Sequence, residues 1–263
     1  MLVSNPRSAV AEVIRISGTG GAMGTMRILG EAVRKTHPGI RVELIQGMGS
    51  SGAILALLAG RLDIGLSARL LSDEERARGI KETRYARTPL VFGANSTLRD
   101  TGLTMETLAE IYGGKRDWEN GKRIRLVLRL PKDTDIAVLK AMSPAMSAAV
   151  DIALRRQAMI VATTDQDTAD AIENVPGAFG ATTLSIVLSE KRAIRVLSLD
   201  GVMPSVRTMA NRSYPYSKTF FMVTKNPPPA AVRWFIDFVR SPAGAAILLK
   251  NGQEPMRQTG IPP

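Results

Sequence analysis

The 263-residue chain contains no cysteine. That excludes thiol nucleophiles, disulfides and thiolate metal sites. It contains a single histidine, His37, in "KTHPG". The proline that follows ends any helix there, so His37 is expected at a solvated helix C-terminus, where the dipole favours a cation. One histidine supports neither a His-dependent catalytic triad nor a His-rich metal centre. Aromatic residues make up only 5% of the chain, a thin supply of stacking platforms for bases. The basic residues are scattered rather than gathered into one run, so nucleic-acid binding is not expected. No stretch reaches the length of apolar residues that would cross a bilayer, so no membrane insertion is expected. The opening "MLVSNPRSAVAEVIRIS" lacks the charged, long-apolar and small-residue order of a secretory signal. It reads either as the mature end of an exported protein or as the start of a cytoplasmic one. No cofactor and no metal is expected.

The residues that are present describe a globular protein, 44% hydrophobic and 22% charged. The length suits one large domain or two lobes of roughly 100–150 residues each. Lys plus Arg is 35 against 24 for Asp plus Glu, a net charge of +11. Such a field draws anions in general.

The first third alternates strand and helix. "EVIRIS" (12–17), "RVELIQ" (41–46) and "RLDIGLS" (61–67) read as strands. Residues 21–36 place Ala22, Met26, Leu29 and Val33 at helical spacing, and "SGAILALLAG" (51–60) is an apolar helix closed by Gly60. This β-α-β-α-β order predicts parallel strands joined by crossovers. Ser72 caps a short helix whose first turn is acidic. "TPLVFGAN" (88–95) reads as a buried strand, Thr104 caps an amphipathic helix, and "IRLVLR" (124–129) is a strand. Residues 133–159 read as one or two helices interrupted near Ser143-Pro144. "MIVATT" (159–164) is a strand, and a helix runs from Asp165 to Glu173 with Thr164 or Asp165 as its cap. "PGAFGATTLSIVLS" (176–189) predicts a turn and a strand. "SYPYSKTFFMVT" (213–224) is extended, with Pro215 pointing to a hinge or edge strand. Two closing helices follow, and the tail after Gly252 reads as irregular.

"GTGGAMGTM" (18–26) is a Gly-rich turn between strand and helix, a common phosphate cradle. It meets the dinucleotide fingerprint only in part: Gly18 and Gly20 fit, but the sixth place is Met23, and Glu43 lies within a strand. The Walker pattern fails, since no G-K-[ST] follows. Three successive βα turns are instead small and hydroxyl-bearing: Thr19-Gly20-Gly21, Gly49-Ser50-Ser51-Gly52, and Ser67 leading to Arg69. In a parallel α/β sheet such turns share the carboxyl edge of the strands, where helix N-termini offer free N–H groups. Three of them converging suit a compact tetrahedral oxyanion better than an extended dinucleotide.

Here the chain resembles a family. "GMGSSGAILALLAGRLDIGLSARLLSDEE" (47–75), "LAEIYGGKRDW" (108–118), the strand ending in Arg129, "PGAFGATTL" (176–184) and "VRWFIDFVRSPAGAAILLKNGQEPM" (232–256) are similar, in that order, to the periplasmic phosphate-binding subunits of ABC importers. The resemblance runs from about residue 13 to 256. It implies an α/β, two-lobed periplasmic-binding-protein fold, each lobe a mostly parallel sheet flanked by helices, with the cleft between them. Residues 1–91 plus 191–263 would form lobe 1 and residues 92–190 lobe 2.

The resemblance further implies a monomeric solute-binding protein, not an enzyme. It would be periplasmic or extracytoplasmic and would present phosphate or a related oxyanion to an ABC importer permease. The implied ligand-binding positions are Thr19, Gly20, Gly21, Ser50, Ser51, Ser67 and Arg69 from one lobe and Arg129 from the other. Arg69 has an alternative in pairing with Asp73, and Arg129 in a salt bridge. The family's G-S-G-T turn is replaced by "LPKDTD" (130–135). Asp133 then either caps the next helix, leaving Thr134 as a donor, or accepts a proton from a protonated oxyanion. An Asp that some members carry after the Ser of the third turn is Ala68 here. The competing readings are a sensory or scaffold relative with an altered or lost pocket, and a nucleotide-using α/β enzyme.

Overall fold

The structure is a computed structural model that describes residues 11–98, 102–157 and 159–256. The first ten residues of the N-terminal reading and the last seven of the tail lie outside the described residues.

β1 (Glu12–Gly18) and β2 (Ile40–Leu44) run parallel, from Glu12 opposite Ile40 to Ile16 opposite Leu44, with α1 (Gly20–Thr36) between them. The helix forms where its apolar stripe finds a sheet to cover: Ala22, Met26, Leu29 and Val33 are all fully buried. Burial of each large member contributes about 1.5–3 kcal/mol. His37 caps the C-terminus of α1 and is exposed, its ring 4.0 Å from that of Trp234. α2 (Gly49–Leu58) leads into β3 (Ile64–Ser67), which is also parallel to β1. α3 (Asp73–Ala77) begins with a full capping box between Ser72 and Glu75.

β4 (Ile80–Asn95) is sixteen residues long, eight more than the apolar run 88–95 predicts. Its first half, "IKETRYAR", is mostly polar and lacks a strand-like alternation, so it is held by its pairing with β10 rather than by an apolar run of its own. Next come β5 (Gly102–Leu103), α4 (Met105–Gly113) capped by Thr104, β6 (Arg125–Arg129), α5 (Thr134–Ala141) and α6 (Pro144–Arg155). They are followed by β7 (Ile160–Ala162), α7 (Asp165–Asn174), β8 (Ala178–Thr183), α8 (Leu184–Ser189) and β9 (Ile194–Leu199). α9 (Val206–Ala210), β10 (Ser217–Lys225), α10 (Ala230–Arg240), α11 (Pro242–Lys250) and β11 (Glu254–Pro255) complete the described chain.

The strands join in the order β2-β1-β3-β10-β4-β8-β6-β7, with β9 and β11 also on β4. The outer pairings are parallel, and those made by β4 and β10 are antiparallel. β4 is the strand the two halves share: residues 80–89 pair with β10, and residues 90–95 pair with β8 and β9. Each half has its own core. Ile14, Ile16, Met26, Leu29, Phe220 and Phe235 belong to one. Phe92, Leu108, Ile111, Leu126, Leu139 and Phe179 belong to the other. Among the described residues, no helix is long and apolar enough to cross a membrane.

Four expectations change. "LSIVLS" forms the helix α8 rather than a strand; a short apolar run fits a buried turn of helix as well as a strand. β10 lies inside the sheet, between β3 and β4, and not at an edge; Pro215 precedes the strand by two residues and so removes no ladder bond. Residues 254–255 are not irregular but pair with Ala86 and Arg87 of β4. β9, which the reading from sequence gives to lobe 1, pairs with Phe92–Asn95, and its Leu197 and Leu199 join the second core.

Candidate functional site

α1, α2, α5 and α7 open toward one cavity of about 440 Å³. Thr19 and Gly20 come from the head of α1, and Gly47 through Gly52 from the head of α2. Arg129 comes from the end of β6, Asp133 and Thr134 from the head of α5, and Thr163 through Gln166 from the head of α7. Eight of the ten expected residues line it: Thr19, Gly20, Ser50, Ser51, Arg69, Arg129, Asp133 and Thr134. Gly21 and Ser67 do not. Gly21 is buried: its carbonyl accepts from Ser185 Oγ at 2.6 Å, and its N–H donates to Asp165. Ser67 is fully buried, and its hydroxyl closes a local turn with Arg69 O at 2.7 Å.

The remaining side chains are held by specific partners. Ser50 Oγ accepts from Ala68 N at 2.9 Å, which ties the second turn to the third. Arg69 forms a two-bonded fork to Glu75, 2.8 Å at each oxygen, and reaches Ser51 Oγ at 3.2 Å. The alternative partner, Asp73, pairs with Arg76 instead. The Arg69 bond lowers the Glu75 pKa to about 2. Of the two roles open to Asp133 from sequence, the structure shows the cap, and it adds a pair with Arg129. It caps α5, accepting from Asp135 N at 2.9 Å, and it takes Arg129 Nη2 at 2.5 Å. Arg129 is 6% exposed, and its Nε has no hydrogen-bond partner among the described residues.

Behind this wall lies a buried charge cluster. Asp165 Oδ2 accepts from Gly21 N at 3.1 Å and from Thr19 Oγ1 at 3.2 Å. Asp165 Oδ1 stands 3.6 Å from Lys218 Nζ and 3.9 Å from Arg129 Nη2. Lys218 pairs directly with Asp135, and both side chains are 1% exposed. Burial pushes the Asp135 carboxyl up, to about 6, against the opposing pull of Lys218. Burial acts the same way on Asp165, but Lys218, Arg129, the Gly21 N–H and the Thr19 hydroxyl outweigh it and hold Asp165 below its usual value. Burial would lower Lys218, yet Asp135 and Asp165 hold it above the ordinary lysine range.

A family model described as a PBP superfamily domain matches residues 3–243. The chain belongs to the PBP superfamily. It is 25% identical over 249 residues to the phosphate-binding protein PstS of Borreliella burgdorferi, covering 90% of this chain and 89% of that one. Among solved structures it resembles a candidate phosphate ABC transporter substrate-binding protein with bound phosphate from Clostridium perfringens. That match has a TM-score of 0.78 at 21% identity and covers 94% of this chain and all of the other. An ABC-type phosphate transport receptor from Vibrio cholerae matches with a TM-score of 0.63 at 20% identity, over 92% of this chain and 99% of that one. At these identities the two structures establish the shared fold alone, a mixed α/β fold with a large sheet flanked by helices.

Within this superfamily fold, the reading from sequence had Asp135 beside the expected anion and Asp165 and Gln166 in a capping turn with at most a minor ligand role, but it missed Lys218 and the cluster that Lys218 forms with the two acids. Gln166 Nε2 donates to Gly20 O at 3.1 Å and to Glu190 Oε1 at 2.9 Å, across the two halves. One signal was available. Lys218 alternates in phase with Phe220, Met222 and Thr224, all buried, while the opposite phase begins half-exposed at Ser217 and Thr219. A lysine on the inward phase of a strand needs a buried acid. Nothing local marks which acid it is, because Asp135 lies 83 positions away and Asp165 lies 53.

Proposed function

We propose that this protein is a solute-binding protein that captures phosphate or a related oxyanion in a cleft between two lobes and delivers it to an ABC importer permease, outside the cytoplasm. One observation carries the reading: the N-termini of α1, α2, α5 and α7 meet on one cavity whose wall includes the guanidinium groups of Arg69 and Arg129. Helix N-termini supply free N–H groups and partial positive charge, and Arg129 adds a planar fork. The names of the relatives point the same way. A charge-assisted hydrogen bond contributes about 1.5–3 kcal/mol, so six of them exceed the roughly 8 kcal/mol of a micromolar complex after ordering costs. The ligand-binding set is Thr19, Gly20, Ser50, Ser51, Arg129 and Thr134, with Arg69 at the rim. The Gly21 N–H joins them once Asp165 no longer holds it. The lobes divide near residue 90 and again near residue 216, where β4 and β10 pass between the two cores. Nothing in the cavity requires covalent chemistry, and the role is that of a binder.

Two carboxylates, Asp133 and Asp165, line the cavity, and a third, Asp135, is buried against Lys218. They favour an oxyanion that keeps a proton to donate, such as monobasic phosphate or a phosphonate, over sulfate. Isothermal titration with phosphate, methylphosphonate, sulfate and small carboxylates tests this. Heat with phosphate or methylphosphonate and little with sulfate is expected; no heat with any of them overturns the reading. The same carboxylates are the observation that favours the second reading, a sensory or scaffold relative with an altered pocket. That reading requires Arg129→Ala and Ser50→Ala to leave every affinity unchanged.

A further inference from the structure

Resting on the oxyanion reading, we propose that the Asp165 carboxylate is a tethered competitor for the oxyanion position at the head of α1, which an incoming anion must displace. Four observations support it.

Asp165 collects the donor set an oxyanion needs: the Gly21 N–H, the Thr19 hydroxyl, the Lys218 ammonium and the Arg129 guanidinium, all within 3.9 Å of one carboxylate. Free N–H groups at a helix start are where anions bind, and here the occupant comes from α7, 144 positions along the chain.

α7 does not need Asp165. Thr164 is its cap, and Asp167 completes the capping box by accepting from Thr164 N at 2.9 Å. The carboxylate therefore leaves its own helix without a local task, crosses to α1 and is 7% exposed.

The charge does not balance. Asp133, Asp135 and Asp165 share two buried cations, Arg129 and Lys218. One carboxylate is in excess, in a place that the oxyanion reading requires to be positive. Withdrawing Asp165 leaves two acids against two bases, so a monoanion that takes its place adds no charge beyond the one Asp165 gives up. The buried Arg129 Nε, with no partner among the described residues, is a donor that Asp165 leaves unused.

The competitor also joins the two halves. Asp165 and Gln166 are adjacent, and both reach the same turn, Thr19 to Gly21. Asp165 lines the 440 Å³ cavity, so there is space beside it into which its carboxylate can turn.

A competitor lowers apparent affinity in proportion to the time it holds the position. Asp165→Asn keeps the shape and removes the charge, and it is expected to bind inorganic phosphate about tenfold or more tightly than wild type in parallel titrations. Asp165→Ala supplies a second readout. Formate, a free carboxylate, should raise its melting temperature and should not raise that of wild type. Near-UV circular dichroism checks that both variants are folded. If wild type binds phosphate and neither variant binds it more tightly, the competitor is refuted while the oxyanion reading stands. If Asp165→Asn binds phosphate and wild type does not, both are supported. If no protein binds phosphate, methylphosphonate or sulfate, the oxyanion reading fails and takes the inference with it. A formate response equal in wild type and Asp165→Ala also overturns the competitor.

Discussion

At the scale of single residues, Lys218 decides whether the buried cluster is tolerable. It faces Asp135 and Asp165 with both its partners out of water. Removing one partner of a buried pair leaves uncompensated charge and costs about 3–5 kcal/mol. Lys218→Met is expected to lose that much stability at pH 8 and less at pH 5. The sign follows from Asp135. Its folded pKa, pushed up to about 6 by burial, lies above the ordinary aspartate value. The folded state therefore holds more protons between those values, and stability falls as pH rises through them. Without Lys218 the carboxyl titrates higher still, so the deficit grows toward alkaline pH. Urea midpoints for the variant and wild type at both pH values test this; an equal deficit would mean that Asp135 is not the group left exposed. Gly20 matters for a steric reason. A Cβ there would stand 2.2 Å from Gln166 Oε1 and 2.6 Å from Asp165 Cβ. Overpacking of that kind costs about 1–3 kcal/mol. Because Asp165 and Gln166 belong to α7, in the other half, the strain burdens the joined form alone. Gly20→Ala should weaken phosphate binding about tenfold or more by titration while the far-UV spectrum stays that of wild type.

At the scale of elements, α3, α4 and α7 were legible because their caps are local. Ser72, Thr104 and Thr164 sit where a hydroxyl precedes an apolar or acidic turn, and each accepts from the N–H three residues on. Eight of the ten expected cavity residues could be placed because βα turns share one sheet edge. The charge cluster could not, because Lys218, Asp135 and Asp165 meet only after β10 is inserted between β3 and β4. Nor did local pattern reveal that insertion, since Pro215 suggested an edge. α8 was misread for a related reason: five apolar or small residues in a row carry no period. α3 shows how an element sets a charge at the rim. Its capping box fixes Glu75, and Glu75 in turn holds Arg69 in a fork. Glu75→Gln keeps a capping side chain at that place but gives up the ionic half of the fork. Arg69 then has more charge to offer an anion near Ser51. Phosphate affinity is expected to rise several-fold at low ionic strength, and the gain should shrink as salt is added. A variant whose affinity is unchanged at every salt concentration would show that Arg69 serves only α3.

At the scale of the whole molecule, the two cores are joined by a strand that neither owns. β4 gives ten residues to one half of the sheet and six to the other, and β10 lies beside its first part along its full length. Opening either half strips hydrogen bonds from a strand the other half also uses. That geometry favours one cooperative unfolding transition over two. A ligand seated between the halves touches both and stabilises the joined form by mass action, about 2.7 kcal/mol at one hundred times its dissociation constant. For a chain of this length each kcal/mol moves the midpoint by about 2–4 °C. Saturating phosphate is thus expected to lift a single calorimetric transition by roughly 5–10 °C. Sulfate at the same concentration should lift it by much less, since Asp133 and Asp165 at the cavity disfavour an anion that carries no proton. If calorimetry instead resolves two transitions and phosphate moves only one, the halves unfold independently and β4 does not couple them. In that case the ligand is held by one half alone, and the contacts of Asp165 and Gln166 with the head of α1 do not couple the two halves.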